Sequence, residues 1–167
     1  ALAWQVTVYM GLQSTVYYTM VTWLPAIQIY NGATPVQAGW YHFAFQACGL
    51  VGTLFAAFMI PRLRAQSGLG AVFAASAVIG LLGLLFVPSL SLLWALFIGF
   101  CTGGAIVLAM ALFGLRTTDY HRAAALSSMA QSVGYLFAAL GPVMIGVLKD
   151  ASGSWTVPLL VMVGVAV

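Results

Sequence analysis

The side chains able to do chemistry in this 167-residue chain are amides, phenols and hydroxyls set inside long apolar runs. His42, Gln46, Gly49 and Thr53 recur at i, i+4, i+7 and i+11, the repeat of a single helical face. Ser127, Ser128, Gln131 and Tyr135 fall within about 100° of arc at ~3.6 residues per turn. Tyr9, Gln13 and Tyr17 form one stripe, with Ser14 and Tyr18 on the next, and Thr102 stands beside Gly99, Gly103 and Gly104. These groups donate and accept hydrogen bonds without carrying charge, which suits a cavity for a small polar or weakly anionic solute.

Each has a second reading as helix-to-helix stitching. For Ser14, Thr53, Ser127 and Ser128 stitching is favoured, because small hydroxyls also satisfy the backbone of their own helix. For Gln13, Gln46, Gln131, Tyr17 and Tyr135 a cavity is favoured, since large amides are costly beside lipid and these cluster on facing helices. His42 offers a proton carrier, as imidazole titrates near neutrality, or a neutral hydrogen-bonded side chain. Its place in the first turn of a helix, near the outer interface, favours the second. Cys48 and Cys101 lack metal-ligand spacing, so no metal is expected. No nucleotide or cofactor motif is present either. An intramembrane hydrolase needs a nucleophile beside a base; Ser14 and His42 are the pair to imagine, and nothing marks Ser14 as activated. The expectation is a protein that is not an enzyme.

The elements that must position these residues follow from where charge is missing. Only 4% of the residues are charged, against roughly 25% in a soluble domain, and 63% are hydrophobic. The seven charges are Arg62, Arg64, Arg116, Arg122, Lys149, Asp119 and Asp150. Too few exist to coat a soluble globule, and the composition equally excludes a disordered chain or a disulfide-rich secreted module. Nucleic acid is excluded as a partner, because the net +3 is scattered over short loops. The uncharged runs show no apolar–polar alternation, which disfavours a β-barrel. An integral membrane protein remains, with the lipid bilayer as its partner.

Turn chemistry divides the runs at Asn31-Gly32-Ala33-Thr34-Pro35 and at Pro88-Ser89-Leu90-Ser91. Helices are therefore expected near 4–29, 38–60, 69–87, 92–115, 120–148 and 156–167. The two loops bearing paired arginines should be cytoplasmic, which places both chain ends there too. Trp4, Trp23, Trp40, Trp94 and Trp155 fall near the helix ends, as interfacial anchors would. Thr118 or Asp119 is expected to cap the fifth helix. The last helix, at ~18 Å, is too short to span, and the first begins almost on Ala1 with no signal-like leader. Both features read as a piece of a longer chain.

A shift of 85 residues lays Gln46-x-x-Gly49 on Gln131-x-x-Gly134, Arg64 on Lys149 and Ser67-Gly68 on Ser152-Gly153. Three helices per copy put the second copy upside down, an inverted 3+3 repeat of the kind found in secondary transporters. Polar content places helices 1, 2, 4 and 5 inward and helices 3 and 6 outside. Gly99, Gly103 and Gly134 allow close helix approach, and Gly141-Pro142 should break the ladder of the fifth helix.

The chain resembles the major facilitator superfamily, within it the cyanate transporter and nitroimidazole exporter group, and there the C-terminal six-helix half. The resemblance covers the whole of residues 1–167 and is densest in the fifth helix. It is carried by Leu115-Arg116-Thr117, Ala124, Leu126-Ser127, Met129-Ala130-Gln131, Gly134-Tyr135, Ala138-Ala139 and Gly141-Pro142, then Gly146, Asp150 and Gly153-Ser154-Trp155. Trp23-Leu24-Pro25 and Gln13-Ser14…Tyr17-Tyr18 add to it. It implies one half of a twelve-helix fold, alternating access in a bacterial inner membrane, and a small solute such as cyanate. It also implies a cavity lined by the first, second, fourth and fifth helices of each half. The loop Pro61-Arg62-Leu63-Arg64 departs from the group's pattern by lacking an acidic residue, which puts a gating ion-pair network there in doubt.

The combined expectation is an all-α transmembrane bundle acting as half of a secondary active transporter, with no cofactor and no metal. Its cavity would be lined by Gln13, Tyr17, Tyr18, His42, Gln46, Thr102, Gln131 and Tyr135. Its partners would be a small-molecule solute, the bilayer and an N-terminal six-helix half. The rivals are a stand-alone half acting as a homodimer and a non-transporting membrane scaffold subunit.

Overall fold

The structure, a computed structural model, describes residues 2–167; Ala1 lies outside the described residues. Six α-helices follow in order: α1 (Leu2–Tyr30), α2 (Pro35–Met59), α3 (Ser67–Phe86), α4 (Ser91–Leu115), α5 (Tyr120–Ser152) and α6 (Thr156–Ala166). Four of them, α2 to α5, are long and apolar enough to cross a membrane. Helix α1 has 29 residues, ample length for a span, but its glutamines, threonines and tyrosines lower its apolarity. That polar helix is also central, packing on α5, α4, α2 and α6.

Two boundaries differ from expectation, each for a local reason. Pro35 begins α2 instead of merely ending the turn: Thr34 and Gln37 form a reciprocal capping box, and proline at the first helical position gives up an N–H with no helical partner anyway. His42 therefore sits deeper in α2 than its first turn. Helix α5 runs on to Ser152 and stops at Gly153, whose φ of +68° is the left-handed conformation that ends helices. Lys149 and Asp150 thus belong to its last turn rather than to a loop. Gly141-Pro142 lies within α5, one helix of 33 residues, as the expected single helix through these residues requires. Proline removes only one ladder bond, and the Trp23 indole donates to the Pro142 carbonyl at 2.8 Å, tying that turn to α1. At the other end Asp119 caps α5, its carboxylate accepting the Arg122 N–H at 2.9 Å.

The two most extensive interfaces are α2 on α4 and α1 on α5. Both rest on glycine. A Cβ on Gly103 would run into the Gly49 carbonyl, and one on Gly52 into the Phe100 carbonyl. In the other pair a Cβ on Gly134 would lie 3.1 Å from the Gly11 nitrogen. Gly141 is walled by the side chain of Thr15, and Gly99 by the Phe45 carbonyl. Backbones approach this closely only where side chains are absent. The third large interface, α3 on α4, seats Ile98 and Trp94 over Gly80 and Gly83.

Apolar packing divides by height. One cluster (Met20, Leu24, Phe45, Leu81, Ile98, Trp155) draws on all six helices near the end that holds the α1–α2 and α3–α4 turns. Lower down the core splits into a cluster of α2, α3 and α4 around Phe73 and another of α1, α4 and α5 around Met10. Trp23 and Trp155 face each other with ring centroids 5.5 Å apart, and Trp155 is buried, so these two brace the bundle rather than the lipid interface. Trp4 and Trp40 are exposed, as interfacial anchors would be.

Replacing Gly103 by alanine should lower stability by about 1–3 kcal/mol, because the added methyl meets backbone that cannot give way. Gly39→Ala, with open space around it, should instead raise stability by up to about 1 kcal/mol. Thermal unfolding in detergent reads both; an unchanged midpoint for Gly103→Ala would show that α2 and α4 do not touch there.

Candidate functional site

Between the two glycine-locked helix pairs, at mid-height, lies a cavity of about 300 Å³. Gln13, Ser14, Tyr17 and Tyr18 reach it from α1, Gln46 and Thr53 from α2, Thr102 from α4 and Tyr135 from α5. Gly49 and Gly103 form its floor where α2 and α4 cross. All seven charged residues lie outside its lining.

The structure thus brings together Gln13, Tyr17, Tyr18, Gln46, Thr102 and Tyr135, but not His42 or Gln131. The Gln131 amide turns onto its own helix and donates to the Ser127 hydroxyl at 2.7 Å. His42 lies one turn above Gln46, its ring against Phe45 at 5.6 Å between centroids. Its Nδ1 is buried with no hydrogen-bond partner among the described residues. Sequence reasoning passed over Phe45, which is fully buried behind Tyr17 and stacked on it with planes 22° apart. The only sequence signal for it was its place one residue before Gln46.

Hydrogen bonding divides the lining into committed and free groups. The Gln13 amide donates to the Met10 carbonyl at 3.2 Å and to the Ser14 hydroxyl at 2.7 Å, which leaves its oxygen as an acceptor. The Thr102 hydroxyl is spent on the Ile98 and Gly99 carbonyls of its own helix, each at 3.0 Å. Thr53 crosses from α2 to the Gly103 carbonyl of α4 at 3.1 Å, the stitching role expected of it. Among the described residues, the Gln46 amide and the hydroxyls of Tyr17, Tyr18 and Tyr135 stand unengaged around the cavity. Its free groups are therefore neutral and both donate and accept, so they could meet a polar or weakly anionic solute without a fixed cation.

Gln13 and Thr102 are also shared with a second cavity of about 320 Å³ toward α3, bordered by Tyr9, Phe73, Ala77 and Cys101. The Tyr9 hydroxyl is buried there without a partner among the described residues. In the loop after α2, Arg62 lies over the Phe58 ring at 3.4 Å and donates to the Phe58 carbonyl at 2.6 Å, so its charge is held by its own helix end. The one ion pair among the described residues joins Arg122 to Asp119 at 3.3 Å, exposed at the start of α5. Among the described residues no group of His, Cys, Asp or Glu is placed to hold a metal ion.

No family model matches the chain. Individual relatives do. The chain is 43% identical to a 2-nitroimidazole transporter of Escherichia coli over 99% of its own length and 42% of the relative's. It is 41% identical to the uncharacterized transporter YycB of Bacillus subtilis, over 97% of the chain and 41% of the relative. It is 28% identical to the cyanate transport protein CynX of Escherichia coli, over 99% of the chain and 44% of the relative. The chain spans less than half the length of these curated relatives, all of which are named as transporters rather than enzymes.

Cavity exposure can be read by thiol labelling. With Cys48 and Cys101 replaced by alanine, Gln46→Cys and Tyr135→Cys should react with a charged, water-borne thiol reagent. Gln28→Cys, at a fully buried position, should not. Equal labelling at Gln28 and Gln46 would contradict the cavity's placement.

Proposed function

We propose that this chain, which resembles transporters of the cyanate and nitroimidazole group, forms one six-helix half of a secondary active transporter. The half would move a small polar or weakly anionic solute, cyanate-like or related, by alternating access. The observation that carries the reading is the uncharged cavity between α1, α2, α4 and α5, with the Gln46 amide and three tyrosine hydroxyls free to donate. An anion meeting several neutral donors is bound firmly enough to be selected and weakly enough to be released.

The helix pairing supports an inverted 3+3 repeat. Exchanging α1 with α4, α2 with α5 and α3 with α6 turns the α1–α5 interface into the α4–α2 interface, the two most extensive in the bundle. Gly49 and Gly134, matched in the sequence repeat, both sit at those close crossings. Such a repeat lets two similar packings interconvert around a fixed site.

An N-terminal six-helix half is the proposed partner. Helices α2 and α5 expose Phe43, Leu50, Leu54, Leu136, Leu140 and Val147, apolar surface beside the open side of the cavity. A second half placed there would close the cavity, in keeping with relatives more than twice as long as this chain. The membrane is proposed to be a bacterial inner membrane, with the Arg62–Arg64 and Arg116–Arg122 ends in the cytoplasm. No carboxylate lines the cavity, so proton coupling would draw on His42 or on groups outside this chain.

Uptake into liposomes tests the site. Gln46→Ala should raise the KM for the transported anion about tenfold, the loss of one hydrogen bond to a charged group. Gln131→Ala should act more weakly, because its amide is engaged by Ser127. Transport by Gln46→Ala identical to that of the natural protein would remove the proposed cavity. Transport by this chain alone, assembled as a dimer, would favour the homodimer, and no movement of any solute by the full-length protein would favour a scaffold.

A further inference from the structure

Permanent charge is kept out of the helix interiors, and one side chain there is able to acquire it. All seven charged residues stand at helix ends or in loops. Of the two histidines, His121 is exposed at the start of α5. His42 lies inside α2, about 10 Å along the helix from Pro35 at ~1.5 Å per residue. The remaining titratable side chains within the helices are tyrosines and cysteines, whose ordinary values lie well above neutrality. Among the described residues His42 is therefore the one interior group that gains or loses a charge near pH 7.

Its surroundings suit that change. The half-buried ring stands one turn above Gln46, about 6 Å along α2, on the stripe that continues to Gly49 and Thr53 at the cavity. Nδ1 is buried with no hydrogen-bond partner among the described residues, a state that is costly until a proton, a water or a ligand meets it. The fully buried Phe45 has its ring centroid 5.6 Å from the imidazole, within the range at which an aromatic quadrupole favours a cation. No fixed charge neutralises the position. Helix α2 packs chiefly on α4 and α1. From α4 the one titratable side chain is Cys101, whose thiol donates to the Ile98 carbonyl at 3.0 Å. Helix α1 offers only phenols: Tyr17 and Tyr18 at the cavity, Tyr9 at the second cavity and Tyr30 at the helix end. Helices α3 and α6 carry no titratable group, and α2 itself adds Tyr41 and Cys48. Arg62, in the turn after α2, lies over Phe58 at the far end of that helix.

We propose that His42 is the proton-carrying group of this half: its imidazolium holds an anion at the Gln46 end of the cavity, so that one proton crosses with each anion and no net charge moves. The inference rests on the transporter reading above and adds to it the coupling ion and its stoichiometry. The neutral ring takes a proton from water on one side of the membrane. The imidazolium and a monovalent anion then sum to zero charge, and both proton and anion pass to water on the other side, which restores the neutral ring. Such a pair is tolerated in a low dielectric that would expel the anion alone. The Gln46 amide and the phenols orient the solute, while the imidazole sets when it is held.

The test uses the full-length protein in liposomes with cyanate as the probe, every rate corrected for protein-free liposomes. With the membrane potential clamped at zero, an inward proton gradient of one pH unit should concentrate cyanate up to about tenfold, the limit for one proton per anion. A potential without a pH gradient should drive no uptake, and cyanate should evoke no current. The KM should rise about tenfold from about pH 5.5 to about pH 7.5, as the imidazolium fraction falls through the ordinary ~6.5 of histidine. His42→Gln fills the position but does not titrate. It should show a KM flat with pH, no accumulation on a proton gradient and a cyanate current; should it fail to insert, His42→Asn gives the same readings. A cyanate current in the natural protein, uptake blind to the proton gradient, or a variant that still follows the gradient overturns the His42 assignment and leaves the transporter reading standing. Absence of cyanate movement above protein-free liposomes removes both.

Discussion

The structure depends on how closely two pairs of helices approach. In lipid, apolar side chains gain nothing from facing one another rather than the bilayer, so helix association rests on packing and on hydrogen bonds. Here the α2–α4 and α1–α5 pairs meet backbone to backbone, at Gly49 and Gly103 in one and at Gly11 and Gly134 in the other. Each contact brings two helices nearer than side chains would permit. The space between the pairs is then left for larger polar side chains. The cavity is a consequence of the tight crossings beside it.

Scarcity of charge has a matching effect on chemistry. An ionised side chain at this depth is expensive unless paired, and the polar residues that replace it are neutral. Many of them satisfy themselves. Thr102 bonds its own helix, Gln131 bonds Ser127, and Thr15 returns to the Gly11 carbonyl at 2.8 Å. What remains unengaged around the cavity is a short set: the Gln46 amide, the Gln13 oxygen and the phenols of Tyr17, Tyr18 and Tyr135. Polarity in the sequence marks which faces turn inward, but the commitments of each group decide which of them can bind.

Much of the architecture is legible in the residues alone. Charge-free runs broken by turn chemistry yield the six helices, and polar stripes identify α1, α2, α4 and α5 as the cavity helices. The errors are local and have physical causes. Pro35 reads in isolation as a helix breaker, but its position directly after the Thr34 cap makes it a helix starter. The reach of α5 past Lys149 depended on Gly153 taking a left-handed turn. Pro142 stays inside α5, and its carbonyl accepts from the indole of Trp23, 119 positions away.

By itself, the sequence determined that the protein is helical, that its helices suit a membrane and that its charged residues stand at their ends rather than among the inward polar stripes. Composition and 3.6-residue periodicity are local properties, and they survive without knowledge of neighbours. Only the tertiary structure decided which amides are free, that His42 and Gln131 stand outside the cavity, and that Tyr17 stacks on Phe45. Those outcomes depend on crossing points between helices distant in sequence. A rotation of one residue about a helix axis, roughly 100°, carries a side chain from a cavity to its neighbour's backbone.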